Sequence, residues 1–154
     1  MADTHADPVI EAVTALVLDL FRVNNLTLNS GDRLVAEIGL TSARWQVLGS
    51  IVAAQRPQPV AWLARDMGSN RQNVQRIAND LAKEGLIEFQ PNPHHRRAHL
   101  VVLTDKGRQT FEAAIERQGP WAARLAQGLD APTIASAHHV LSMLKQNLMR
   151  ENRN

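Results

Sequence analysis

The stretch VAWLARDMGSNRQNVQRIANDLAKEGLI, residues 60–87, decides the reading of this chain. Val60, Leu63, Ala64 and Met67 recur at helical spacing, and Pro59 stands near the first turn, a favoured place for proline. Gly68 closes that helix, and Asn70 is placed to cap a second one over 71–84, with Val74, Ile77, Ala78 and Leu81 inward. Gly85 then ends it, as a glycine just past a helix end often does. Two short helices joined by a tight turn leave one outer flank rich in Arg71, Gln72, Asn73, Gln75 and Arg76. Amides and guanidiniums form bidentate hydrogen bonds of the kind that base edges in the DNA major groove accept. The rival explanation of that flank is ordinary solvated helix surface.

Downstream the texture changes. LIEFQ (86–90) and the β-branched HLVVLT (99–104) read as two strands. PNPHHRRA (91–98) joins them as a long hairpin tip. Helix, turn, helix and hairpin in that order make a winged helix-turn-helix, whose second helix enters the major groove while the hairpin reaches the neighbouring backbone or minor groove.

Upstream, Val9, Val13, Leu16, Val17, Leu20 and Phe21 define one long helix over 8–28, open to interruption near LNSGD (28–32). Thr41 or Ser42 is placed to cap a helix over ARWQVLGSIVAA (43–54), with Trp45, Leu48, Ile51 and Val52 inward, and RPQP (56–59) breaks it. Thr104 is placed to cap a helix beginning DKGRQTFEAAIERQ, which Gly119 and Pro120 interrupt or kink. Asp130 caps a last helix carrying Ile134, Val140, Leu141, Leu144 and Leu148. The expected fold is mainly α with a small β-hairpin wing. Residues 1–40 form an N-terminal helical region, 41–104 the winged helix-turn-helix, and 105–154 the C-terminal helices.

Composition narrows the function classes. The 154 residues contain no cysteine, which removes disulfides and thiolate chemistry and fits a reducing, cytoplasmic setting. No apolar run nears the roughly 18 residues needed to cross a bilayer, and MADTHADP is acidic and lacks the basic-then-apolar order expected of a signal peptide. The net charge of +2 is unevenly placed: residues 1–40 hold two arginines against six acids, while residues 71–108 hold seven Lys and Arg against four acids. A basic centre suits a polyanionic partner. No nucleophile elbow, phosphate loop or helix-borne metal motif is present, so an enzyme is not expected. No cofactor is expected either. His94, His95 and His99 lack the three or four converging ligands of a metal site, and His138 and His139, adjacent on a helix, point different ways.

GLTSARWQVLGSI, LARDMG, VQRIANDLAKEGLI and HRRAHLVVLTDKG together resemble the MarR family of bacterial transcriptional regulators over about residues 39–107. The flanking helices match that family's dimerisation helices in placement. The resemblance implies a homodimer on a pseudo-palindromic double-stranded operator, with half-sites about 34–36 Å apart or a multiple of it. It implies a repressor released by a small effector, aromatic or anionic, bound between the dimer helices and the winged helix. Carried onto this chain, Gln72, Asn73, Gln75 and Arg76 are the base-reading candidates, and Arg71 meets phosphate or base. Ser69 and Asn70 serve the turn, with phosphate within reach. Arg96 and Arg97 lie at the wing tip, Arg97 matching the family's wing arginine.

One departure stands out. The family's aspartate two residues before that arginine is His95 here, so its bracing ion pair is absent or replaced, and a pH-sensitive tip becomes conceivable. For an effector pocket the candidates are Arg22 and Arg44 as cations, Trp45, and Trp62, which falls off its helix's apolar stripe. The alternative function is a winged helix that binds proteins and reads no DNA.

Overall fold

A computed structural model describes residues 7–152. The helices are α1 (Pro8–Val35), α2 (Ser42–Ala53), α3 (Val60–Asp66), α4 (Arg71–Lys83), α5 (Asp105–Leu125) and α6 (Ala131–Glu151). Strands β1 (Gln58–Pro59), β2 (Ile87–Gln90) and β3 (Leu100–Leu103) form one antiparallel sheet in the order β1-β3-β2. The chain divides into two compact units, one ending at Gln118 and the other starting at Gly119, with α5 running through the boundary.

In the first unit a single core gathers Leu48, Leu63, Leu81, Ile87 and Val101, each below 2 % exposure. Those residues come from α2, α3, α4 and both hairpin strands, so the two helices of the turn motif and the wing share one packed interior. The turn forms as the sequence predicts. Gly68 adopts φ +63°, and Asn70 Oδ1 accepts from the backbone N–H groups of Gln72 (2.8 Å) and Asn73 (3.4 Å). That satisfies two of the donors a helix start leaves over. Gly85, at φ +72°, ends α4.

Three details depart from expectation. First, α1 passes through Asn29, Ser30 and Gly31 without a break. Tertiary packing outweighs the low helix propensity there: Ser42 Oγ donates to the Leu28 carbonyl at 2.7 Å, and Asp32 Oδ1 accepts from the Ser42 N–H at 2.6 Å. A Cβ at Gly31 would collide with the Ser42 hydroxyl, so the glycine is what lets α2 come so close. Ser42 is thereby tied to α1, and Thr41 is the cap, accepting from Arg44 N–H at 3.3 Å. Second, Pro59 lies just outside α3, and with Gln58 it adds a third strand against Leu100 and Val101. A proline fits an edge strand because it has no N–H to donate. Third, α5 remains helical through Gly119 and Pro120, although Pro120 has no N–H for the Glu116 carbonyl.

Thr104 starts α5, accepting from Gly107 N–H at 3.0 Å and donating to the Gly85 carbonyl at 2.7 Å. In the second unit Asp130 caps α6, accepting from Thr133 N–H at 2.9 Å and from its hydroxyl at 2.8 Å. Those bonds to Thr133 hold the Asp130 carboxyl below its ordinary value. None of the residues of α6 is buried.

Candidate nucleic-acid interface

Helix α4 is sharply two-faced. Val74, Ile77, Ala78 and Leu81 are buried, while Arg71, Gln72, Asn73, Arg76 and Asn79 are exposed and Gln75 is half-buried. The polar flank is organised before any partner arrives. Arg76 Nη2 donates to Asn73 Oδ1 at 2.9 Å, and Gln75 Nε2 donates to Asn79 Oδ1 at 3.0 Å. These are neighbours one turn apart. Such exposed bonds are worth only about 0.5–1.5 kcal/mol each, so a base edge or phosphate can replace them at little net loss. Arg71, Gln72, Gln75 and Arg76 border one concave surface along the helix, which Asn79 and Lys83 extend.

A second groove of about 320 Å³ joins the helix to the wing. Arg71, Gln75 and Asn79 line one side, and Arg97 and His99 the other. Residues 18 or more positions apart in the chain thus meet on one face. Arg96 is exposed on the tip beside Arg97, and neither arginine forms an ion pair among the described residues. Ser69 is half-buried in the turn, with its N–H bonded to the Ala64 carbonyl, and Asn70 is committed to capping.

The wing tip is braced by a residue the sequence reading passed over. Asn92 Nδ2 donates to the Ala98 carbonyl at 2.9 Å, and Asn92 Oδ1 accepts from His94 N–H at 3.0 Å. A local asparagine bridge therefore spans the tip. Asparagine bonding to backbone two residues on is a known turn device, so the residue type itself carried the signal. Asn79 and Lys83 were also missed. Their spacing from Gln75, four and eight residues on, places them on its helical face.

The effector candidates have separate sets of partners. Arg22 lies exposed on α1, paired with Asp19 at 3.0 Å. Arg44 joins α2 to the end of α4 through Glu84 at 2.7 Å. Trp45 packs half-buried against the core. Trp62 is 45 % exposed, with the guanidiniums of Arg56 and Arg65 at 6.0 and 5.6 Å from its ring centre. Among the described residues, no group of three or more His, Cys, Asp or Glu is placed to hold a metal ion. No helix among them is long and apolar enough to cross a membrane.

The MarR family's sequence model matches residues 38–98, which run from the end of the turn after α1 to the wing tip. An uncharacterized protein of Mycobacterium tuberculosis (strain ATCC 25618 / H37Rv) is 39% identical over 131 residues, 85% of this chain and 90% of that one. This chain belongs to the MarR family. As a MarR-family winged-helix regulator it is also similar to the transcriptional activatory protein BadR of Rhodopseudomonas palustris, 31% identical over 115 residues, 71% of this chain and 64% of that one. The fold matches that of a mutant MarR from E. coli complexed with operator DNA, with a TM-score of 0.70 at 24% identity, covering 90% of this chain and 99% of that one.

Proposed function

We propose that this MarR-family chain is a homodimeric, sequence-specific DNA-binding regulator whose α4 enters the major groove while Arg97 reaches the adjacent backbone or minor groove. The observation that carries this reading is the single groove shared by Arg71, Gln75 and Asn79 of α4 and Arg97 of the wing. Amide groups suit adenine edges, arginine suits guanine, and narrow minor grooves attract arginine. The MarR chain of the same fold, complexed with operator DNA, supports the partner.

Dimerisation follows from what a lone chain leaves uncovered. On α1, Ile10, Leu18, Phe21 and Leu26 are all at least half exposed. On α6, Leu148 and Met143 are likewise exposed, and no residue of that helix is buried. Apolar faces this extensive on helices mark an interface, and a second copy is the occupant proposed here. Repression is the natural outcome of an operator overlapping a promoter, and a small aromatic or anionic effector would relieve it. BadR is a transcriptional activatory protein, and activation is the outcome expected of this chain where the operator lies clear of the promoter.

The test is fluorescence anisotropy of the chain's own upstream region with purified protein across a salt series. Binding should weaken steeply as salt rises, because neutralised phosphates release counterions. A duplex that shows no salt-sensitive binding refutes the reading.

A further inference from the structure

We propose that His99 is a further DNA-contacting residue: it holds a backbone phosphate together with Arg71 and Arg97 and takes up a proton as the duplex binds. The inference rests on the DNA-binding reading above and adds to it a contact and a proton. His99 is exposed just before Leu100, where β3 leaves the wing tip. It lines the groove of about 320 Å³ between α4 and the wing. The charged groups that share this groove with it are Arg71 from α4 and Arg97 from the wing. Helix α3 and strand β2 contribute only apolar side chains, among them Val60 and Phe89, and no acidic residue lines the groove. None of Arg71, Arg97 and His99 forms an ion pair among the described residues.

Two guanidiniums and an imidazole around one groove, with no carboxylate between them, match an anion. With α4 in the major groove, the anion that runs beside it is the sugar–phosphate strand, the partner of half to two-thirds of protein–DNA hydrogen bonds. The apolar wall beneath these groups strengthens a charged hydrogen bond made there. Histidine differs from its two neighbours in that its charge changes between about pH 5 and 8. Nearby cations disfavour a further positive charge, whereas an anion seated among them favours it. Charged hydrogen bonds to phosphate are also about twice as strong as neutral ones. A seated phosphate therefore draws a proton from solvent onto the His99 ring, and by linkage the proton strengthens DNA binding by the same factor. His94 and His95 lie on the tip outside this lining, and the His94 N–H is engaged by Asn92. Proton uptake is thus assigned to His99 and not to them.

The test is isothermal titration calorimetry of the full-length protein with a duplex selected from random DNA, at about pH 6.5, in buffers of different ionisation enthalpy. The dependence of the heat on the buffer counts the protons taken up. The wild type should take up a measurable fraction of a proton per chain, and its affinity should rise as pH falls, by at most about tenfold per pH unit for each proton linked. The slope of log affinity against log salt should steepen by about 0.9 per chain from the alkaline to the acid limit. His99→Gln should abolish the uptake and flatten the pH profile, with circular dichroism unchanged because the side chain is exposed. His99→Arg should also take up no proton, yet bind at about pH 8 as tightly as the wild type does at about pH 5.5. His94→Gln/His95→Gln should keep the wild-type uptake. A wild type that binds DNA with no proton uptake, uptake that survives in His99→Gln or His99→Arg, or loss of uptake in the tip double variant would each overturn the proposal and leave the DNA-binding reading standing. Absence of any salt-sensitive binding by the wild type would overturn both.

Discussion

Asn92→Ala tests whether the wing acts as a pre-formed arm. The side chain makes two neutral hydrogen bonds across the tip, 2.9 Å to the Ala98 carbonyl and 3.0 Å from His94 N–H. At about 0.5–1.5 kcal/mol each they are worth roughly 1–3 kcal/mol of local order. Most of that order is confined to the exposed tip, so thermal unfolding of the whole protein should change little. Binding DNA would instead have to restore it. Since about 1.4 kcal/mol corresponds to a factor of ten, affinity should fall roughly 5- to 150-fold. Anisotropy titrations on one fixed duplex give that number. The same substitution in an Arg97→Ala background should have less effect, because Arg97 is then no longer there to be positioned. Unchanged affinity in the single variant, or an equal loss with and without Arg97, would refute the reasoning.

Other outcomes follow from the same geometry. Arg97→Ala should lower the slope of log affinity against log salt by about 0.9 if the residue neutralises one phosphate, and Gln75→Ala should relax selection at one operator base pair by about 1–3 kcal/mol, read from sequences selected out of random DNA. Gly107→Ala should destabilise the fold by at least about 1–3 kcal/mol in urea titration, because a Cβ there would overlap the backbone carbonyl of Leu86, which the Thr104 N–H holds in place. Phe21→Glu places a charge on the open apolar face of α1 and should shift sedimentation from dimer to monomer. Asp130 accepts hydrogen bonds from the Thr133 N–H and hydroxyl, so its carboxyl titrates below the ordinary 3.8. Its contribution to the start of α6 should be complete above that value and fade as pH falls through the depressed one, visible as faster amide exchange near Thr133 in strong acid.

The winged helix was legible because its punctuation is local. Gly68, Asn70 and Gly85 each do their work within a few residues, and the stripe of Val74, Ile77, Ala78 and Leu81 fixes which side of α4 faces out. The continuity of α1 was not legible. It is supported by Ser42 meeting Leu28 and Asp32 across a chain reversal, a tertiary contact that helical periodicity does not display. Strand β1 is only two residues long, too short to display alternation, and its partner lies some forty positions away. Within the site, the residue types on α4 and the wing arginines could be named beforehand, but the meeting of α4 with Arg97 in one groove is a tertiary fact. Asn92 was not legible because its partner across the tip, the Ala98 carbonyl six positions on, is set by the hairpin's fold.

Hydrogen–deuterium exchange on the full chain, free and saturated with a selected duplex, tests the central claim most directly. The account predicts slowed exchange together in two separate segments, the start of α4 at 70–76 and the wing at 92–99, with the duplex carrying two chains. Protection that avoids α4 and the wing, or a complex of one chain per duplex, would contradict it.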